Sequence, residues 1–143
     1  MKGTEEMKKE KKILIGGQAL RRLGHDRHTD DVDYLVNRPG EELFIHTAEG
    51  DLINAAAHNF LSHVWESVTV NEGVADAQTL FELKAWSWIQ YLQNMDFRAA
   101  AKAEYDMAFL VRDHGIVDAP ILRTVAHAGE MAELDKFVAG VRR

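Results

Sequence analysis

No cysteine occurs in the 143 residues, so disulfide staples are excluded, and a thiolate zinc site is excluded with them. Any metal this chain binds must be held by oxygen or imidazole. Proline is nearly as scarce, with two residues in all, and no Pro/Gly/Ser-rich linker divides the chain. Long apolar runs are missing too. Residues 1–12 are rich in Lys and Glu, and nothing behind them has the length of a signal or membrane segment. The expectation is a cytoplasmic protein with no membrane partner. Positive charge is not in excess either: the formal net charge is −6, which disfavours the broad basic surface that non-specific nucleic-acid binding requires. A local stretch such as Lys8-Lys9-Glu10-Lys11-Lys12 could still guide a nucleic-acid end.

Hydrophobic residues make up 46% of the chain and charged residues 28%, the balance of a globular protein with one core. Ile13-Leu14-Ile15, Gly16-Gly17 and then Ala19, Leu20, Leu23 and Gly24 read as strand, tight turn and helix. Strands are expected over 31–36 and at Leu43-Phe44-Ile45, with a weaker one at Asp51-Leu52-Ile53. A helix is expected over 55–64 and a short strand at Val68-Thr69-Val70. From Ala77 onward the period is helical, broken near Met95-Asp96 and His114-Gly115. The fold class is therefore α/β (α+β), a small mixed sheet flanked by helices with a helical C-terminal half. One domain is expected over 1–143, made of a charged segment at 1–12, a sheet-containing core at 13–75 and a helical half at 76–143.

Asp31 and Asp33 stand two apart in an expected strand, so their carboxylates emerge on one face and can converge on a hard cation. The alternative is a pair of solvated acids at a strand end. Gly16-Gly17 opens a helix after a strand, where unobstructed N–H groups can cradle an anion; plain turn geometry is the simpler reading of the pair alone. Together the two features offer phosphate binding and cation binding, both of which phosphoryl chemistry needs. Neither a Walker loop nor a dinucleotide glycine fingerprint is present.

Gly16-Gly17-Gln18-Ala19-Leu20, then Gly24, then Arg27-His28-Thr29-Asp30-Asp31-Val32-Asp33 resembles the signature of the nucleotidyltransferase superfamily. The likeness is strongest to the bacterial branch that includes the abortive-infection type nucleotidyltransferase toxins of toxin–antitoxin pairs. The resemblance implies that Gly16 and Gly17 hold nucleotide phosphates, that Asp31 and Asp33 ligate Mg²⁺ or Mn²⁺, and that Arg27 and Thr29 stand beside the site. Gln18 occupies the place where many members carry Ser, so a hydroxyl contact to phosphate is missing and backbone donors must do more. The superfamily usually adds a third carboxylate on a later strand. Asp51 is the candidate here, with Glu66 or Asp76 next.

In the helical half Leu80, Phe81, Trp88 and Ile89 form an apolar stripe that Lys84 interrupts, and Asp106 interrupts the stripe of Ala99, Ala103, Met107 and Leu110. An unpaired buried charge is costly, so the two suggest a pair or a site. A structural Lys84–Asp106 contact, a snorkelling Lys84 and a local Lys102–Asp106 pair are the alternatives. By the resemblance, Lys84 contacts triphosphate and Asp106 orients it or a metal. The seven histidines show no zinc-hydrolase spacing and read as structural or surface residues, and Trp65, Trp86 and Trp88 as core or interface anchors. The expected activity is Mg²⁺-dependent transfer of a nucleoside monophosphate from an NTP to an RNA end, a protein hydroxyl or a small molecule. The alternative is a non-catalytic binding or antitoxin-like module acting through a partner protein, and a structural homodimer is the third reading.

Overall fold

A computed structural model describes residues 10–143. Three successive apolar residues, Ile13–Ile15, form β1, which is buried throughout because it has a strand on each side. The chain passes directly into α1, Gly16–Arg22, and Gly16 makes the corner with φ +68°, a conformation that costs a residue with a Cβ about 1–2 kcal/mol. The sheet continues with β2 (Asp33–Val36), β3 (Phe44–Thr47), β4 (Gly50–Asn54), β5 (Val70–Asn71) and β6 (Val74–Ala75), arranged β3-β4-β2-β1-β6-β5. β2 runs antiparallel to β1 and parallel to β4, a mixed sheet as expected.

The expected strand at 31–36 begins only at Asp33, because the β1 register ends at Ile15 opposite Asp33. Asp31 lies before the strand, its N–H donated to the Thr29 hydroxyl at 3.2 Å. The expected helix at 55–64 is two elements, a 3₁₀ turn at Ala55–Ala57 and α2 at Asn59–Ser67, separated by an extended His58. Buried Asn54 caps the 3₁₀ turn. Its carbonyl accepts from the N–H groups of Arg38 (2.8 Å) and Ala56 (3.2 Å), and its amide donates to the carbonyls of Arg38 and Glu41 at 2.8 and 3.1 Å. The strand expected at Val68-Thr69-Val70 is shifted to Val70–Asn71 and gains a hairpin partner in Val74–Ala75. Glu72 and Gly73 turn it with φ +51° and +78°, the two successive left-handed residues that a tight hairpin requires.

The helical half comprises α3 (Ala77–Gln93), α4 (Phe97–His114), α5 (Pro120–Val125) and α6 (Ala128–Arg142). Two of the three breaks fall where the sequence puts them; the third, at Ala126-His127 between α5 and α6, is not among those expected. Asp96 caps α4 by accepting from Ala99 N–H at 3.2 Å, and Gly115 ends it at φ +67°. Leu20 and Leu35 from the sheet-bearing half share one core with Phe81, Leu110 and Leu134 from the helical half. Trp88 is buried and packs on Phe137 at 5.6 Å, while Trp86 stacks on Phe60 at 5.7 Å. Lys8 and Lys9 of the basic stretch lie outside the described residues; Glu10 pairs with Arg38 at 2.5 Å. Among the described residues no helix is long and apolar enough to cross a membrane.

Glu82, with none of its surface exposed, fixes α5 to α3: its carboxylate accepts from the N–H groups of Ile121 (2.8 Å) and Leu122 (2.9 Å). Glu82→Ala leaves both donors without that partner, and the expected loss is about 1–3 kcal/mol, read as a lower urea midpoint with an unchanged slope. An unchanged midpoint would mean that α5 is held by its apolar face alone.

Candidate functional site

Asp106 is completely buried on α4, and three cationic or ionisable side chains meet it. Lys84 of α3 brings Nζ to 3.0 Å from one carboxylate oxygen; Arg27 Nε and His25 Nε2 lie 2.8 and 2.9 Å from the other. A lone carboxylate could not remain charged there, and this cage of donors compensates it. Asp106 therefore pairs across the fold with Lys84, and the local Lys102 pairing is not formed. Of the three contacts only that of His25 is a hydrogen bond; Lys84 and Arg27 stand at ion-pair distance, and Asp106 Oδ2 and Arg27 Nε keep no hydrogen-bond partner among the described residues. His25, which reads as one more histidine in the sequence, is part of this cage and stacks on Phe109 at 4.4 Å.

The acids gather at the ends of β2 and β4. Parallel pairing puts Asp33 directly opposite Asp51, and Asp31, although outside the strand, lines the same cavity as Asp33. Burial, then the charges of Asp51 and Asp31, push the Asp33 carboxyl above the ordinary Asp value, against the opposing pull of Lys84 and Arg27. Asp51 is also engaged from the other side: His46 on β3 approaches its carboxylate with Nδ1 at 2.8 Å. Among the described residues no three His, Asp or Glu side chains converge as a ready set of metal ligands. Glu66 is exposed on α2, and Asp76 is occupied with Thr79 and the Thr69 N–H.

The two glycines give clearance at this point. A Cβ on Gly16 would lie 2.7 Å from an Asp33 carboxylate oxygen, and one on Gly17 would strike the Thr29 methyl and come within 2.9 Å of Arg27 Nη2. Gln18, expected beside the nucleotide, donates its amide to the Thr29 carbonyl at 2.8 Å and braces the loop that carries Arg27 and Thr29.

Two cavities meet at a shared wall of Asp33, Lys84, Ser87 and Tyr91. One, about 430 Å³, is polar, and its lining includes four cationic side chains, Arg27, Lys84, Arg98 and Lys102, together with four carboxylates, Asp31, Asp33, Asp96 and Asp106. The other, about 440 Å³, carries Ile15, Phe44, Ile45, Ile53, Leu80 and Leu83, with Asp51 and His46 at its edge. Arg98, Lys102, Ser87 and Tyr91 escape a motif-based reading because they lie on exposed or mixed helix faces. The i+4 spacings from Ser87 to Tyr91 and from Arg98 to Lys102 are the sequence signals that each pair shares a helix face.

No family model matches the chain, and no curated protein or solved structure matches it either. The site rests on its own geometry, and that geometry has a measurable cost. Because the Asp33 carboxyl is pushed up, the folded state binds its proton more tightly than the unfolded chain, and stability falls as pH rises from the ordinary Asp range through the raised value. Asp33→Asn is therefore expected to raise Tm at neutral pH in chelator, with the gain shrinking as pH is lowered to about 4, the ordinary Asp value. Thermal melts across pH check this; a lower Tm at pH 7 would show that Asp33 is a net stabilising ion-pair member.

Proposed function

We propose that this site transfers a nucleoside monophosphate from an NTP to an acceptor hydroxyl and releases pyrophosphate. The observation that supports it most is the pairing of β2 with β4, which sets Asp33 beside Asp51 at the boundary of the cavity holding Arg27 and Lys84. Burial, with the charges of Asp51 and Asp31 adding to it, raises the Asp33 pKa, which suits a site that a divalent cation would neutralise. Asp31, Asp33 and Asp51 would hold Mg²⁺ or Mn²⁺ there, and the bound ion would supply charge neutralisation and polarisation of the transferred phosphoryl group.

The remaining work falls to the chain. Lys84 and Arg27, held by Asp106, present cationic groups to the polar cavity, and Arg98 and Lys102 extend that field from α4. A triphosphate placed there meets charge that is already oriented, so little reorganisation is needed as negative charge develops on the leaving pyrophosphate. Glycine at positions 16 and 17 leaves room for the Asp33 carboxylate and for the Thr29–Arg27 loop beside the phosphates. The resemblance of residues 16–33 to the nucleotidyltransferase signature supports the same assignment.

A non-catalytic module acting through a partner protein is the second reading, and one observation favours it: Asp51 is engaged by His46, and the three acids do not yet converge. Calorimetry of each NTP with and without Mg²⁺ separates the two. Metal-dependent binding in the wild type, lost in an Asp31→Ala/Asp33→Ala variant, is expected, followed by transfer of label from the NTP to an acceptor. Absence of NTP binding by the wild type would favour the partner-binding module.

A further inference from the structure

The apolar cavity has a different chemistry from its neighbour, and the difference bears on the acceptor. Displacement at phosphorus is in line, so the attacking oxygen approaches from the side opposite the leaving pyrophosphate. If the four cationic side chains of the polar cavity take the pyrophosphate, the attacking group comes from the other side of the Asp33–Lys84 wall, which is the apolar cavity. Its ionisable side chains are the carboxylates of Asp33 and Asp51, His46 held against Asp51 at 2.8 Å, and one cation, Lys84, which stands in the wall shared with the polar cavity and would be engaged from that side by the pyrophosphate. A phosphodiester strand entering here would meet two acids and no free Lys or Arg, the reverse of what nucleic-acid backbones require. Ile53, Leu80 and Leu83 instead offer apolar surface, and Phe44, 56% exposed, stands at the rim.

We propose that the apolar cavity is the acceptor site, and that it takes an uncharged hydroxyl compound with an aromatic or aliphatic body rather than a nucleic-acid end. The proposal rests on the transfer reading above. The body lies against Ile53 and Leu83, which points the hydroxyl at the Asp33–Asp51 edge on the same face of the sheet. In the transfer the acceptor O–H bond breaks and its proton passes to solvent at the open mouth. The acceptor oxygen bonds to the α-phosphorus, and the bond to the bridging oxygen breaks as pyrophosphate leaves into the cationic cavity.

The test uses the full chain with labelled Ile and Leu methyl groups and a series of probes from phenol through 4-methylphenol to 4-ethylphenol. Saturable shifts are expected at Ile53 and Leu83, with affinity rising about fourfold per added carbon as each is buried. Mg²⁺–NTP added to the phenol complex is expected to shift Gly17 and Arg27 amides without displacing the phenol, and labelled nucleoside monophosphate is then recovered on the phenol oxygen. A flat series, displacement of the phenol by NTP, or displacement by a short oligonucleotide with a free 3′-hydroxyl that itself becomes labelled would each overturn the proposal. So would simultaneous binding of NTP and phenol with no transfer. NTP binding is read at Gly17 and Arg27 in the same titration. NTP binding without phenol binding sinks the acceptor assignment alone, whereas phenol binding without NTP binding removes the transfer reaction and the acceptor role with it.

Discussion

A single buried carboxylate organises the rest of the molecule. Asp106 has no exposed surface, and a charge so placed must be compensated or it opposes folding. Its three partners come from separate places: Lys84 from α3, and His25 and Arg27 from the loop that follows α1. Satisfying one side chain therefore ties the helical half to the sheet-bearing half and fixes the loop that carries Thr29 and Asp31. The arrangement also leaves the Lys84 and Arg27 side chains partly exposed, at 23% and 25%, so the groups that neutralise Asp106 still present charge to the cavity.

Opposite this positive edge stands a negative one, set by strand register. Parallel pairing of β2 with β4 brings Asp33 and Asp51 side by side, and the chain gives neither a strong partner: His46 touches Asp51, and Lys84 and Arg27 pull only weakly on Asp33. The fold thus keeps repulsion that Asn at position 33 would remove. Strain of this kind is expected where function requires it. On the proposed reading, the negative edge is for cations, the cationic cavity for polyphosphate, and the apolar cavity for what receives the transferred group.

Local chemistry was legible in the sequence, and long-range pairing was not. Ile13-Leu14-Ile15 reads as a buried strand from composition alone, and Asp96 and Gly115 punctuate the helices where local rules place them. Lys84 and Asp106 stand out because each interrupts an apolar stripe, and their meeting follows from the cost of burying either alone. His25 carries no such signal, since a histidine after Gly24 reveals nothing about a partner 81 residues away. The two-residue strands β5 and β6 are too short for any alternation to show, and the early start expected for β2 failed because β1 has no residue left to pair with Asp31. The pairing of Asp33 with Asp51 depends on a register that spans the whole of β3, which no local pattern encodes.

On the proposed reading Asp31, Asp33 and Asp51 share a cation when a nucleotide occupies the neighbouring cavity. Mn²⁺ titrated into isotope-labelled protein with an NTP present tests it directly, because the paramagnetic ion broadens only signals close to it. Broadening centred on Asp31, Asp33 and Asp51, deepened by the nucleotide and reversed by excess Mg²⁺, is expected. Broadening centred instead on exposed acids such as Asp118 and Asp135, or unaffected by nucleotide, would contradict it.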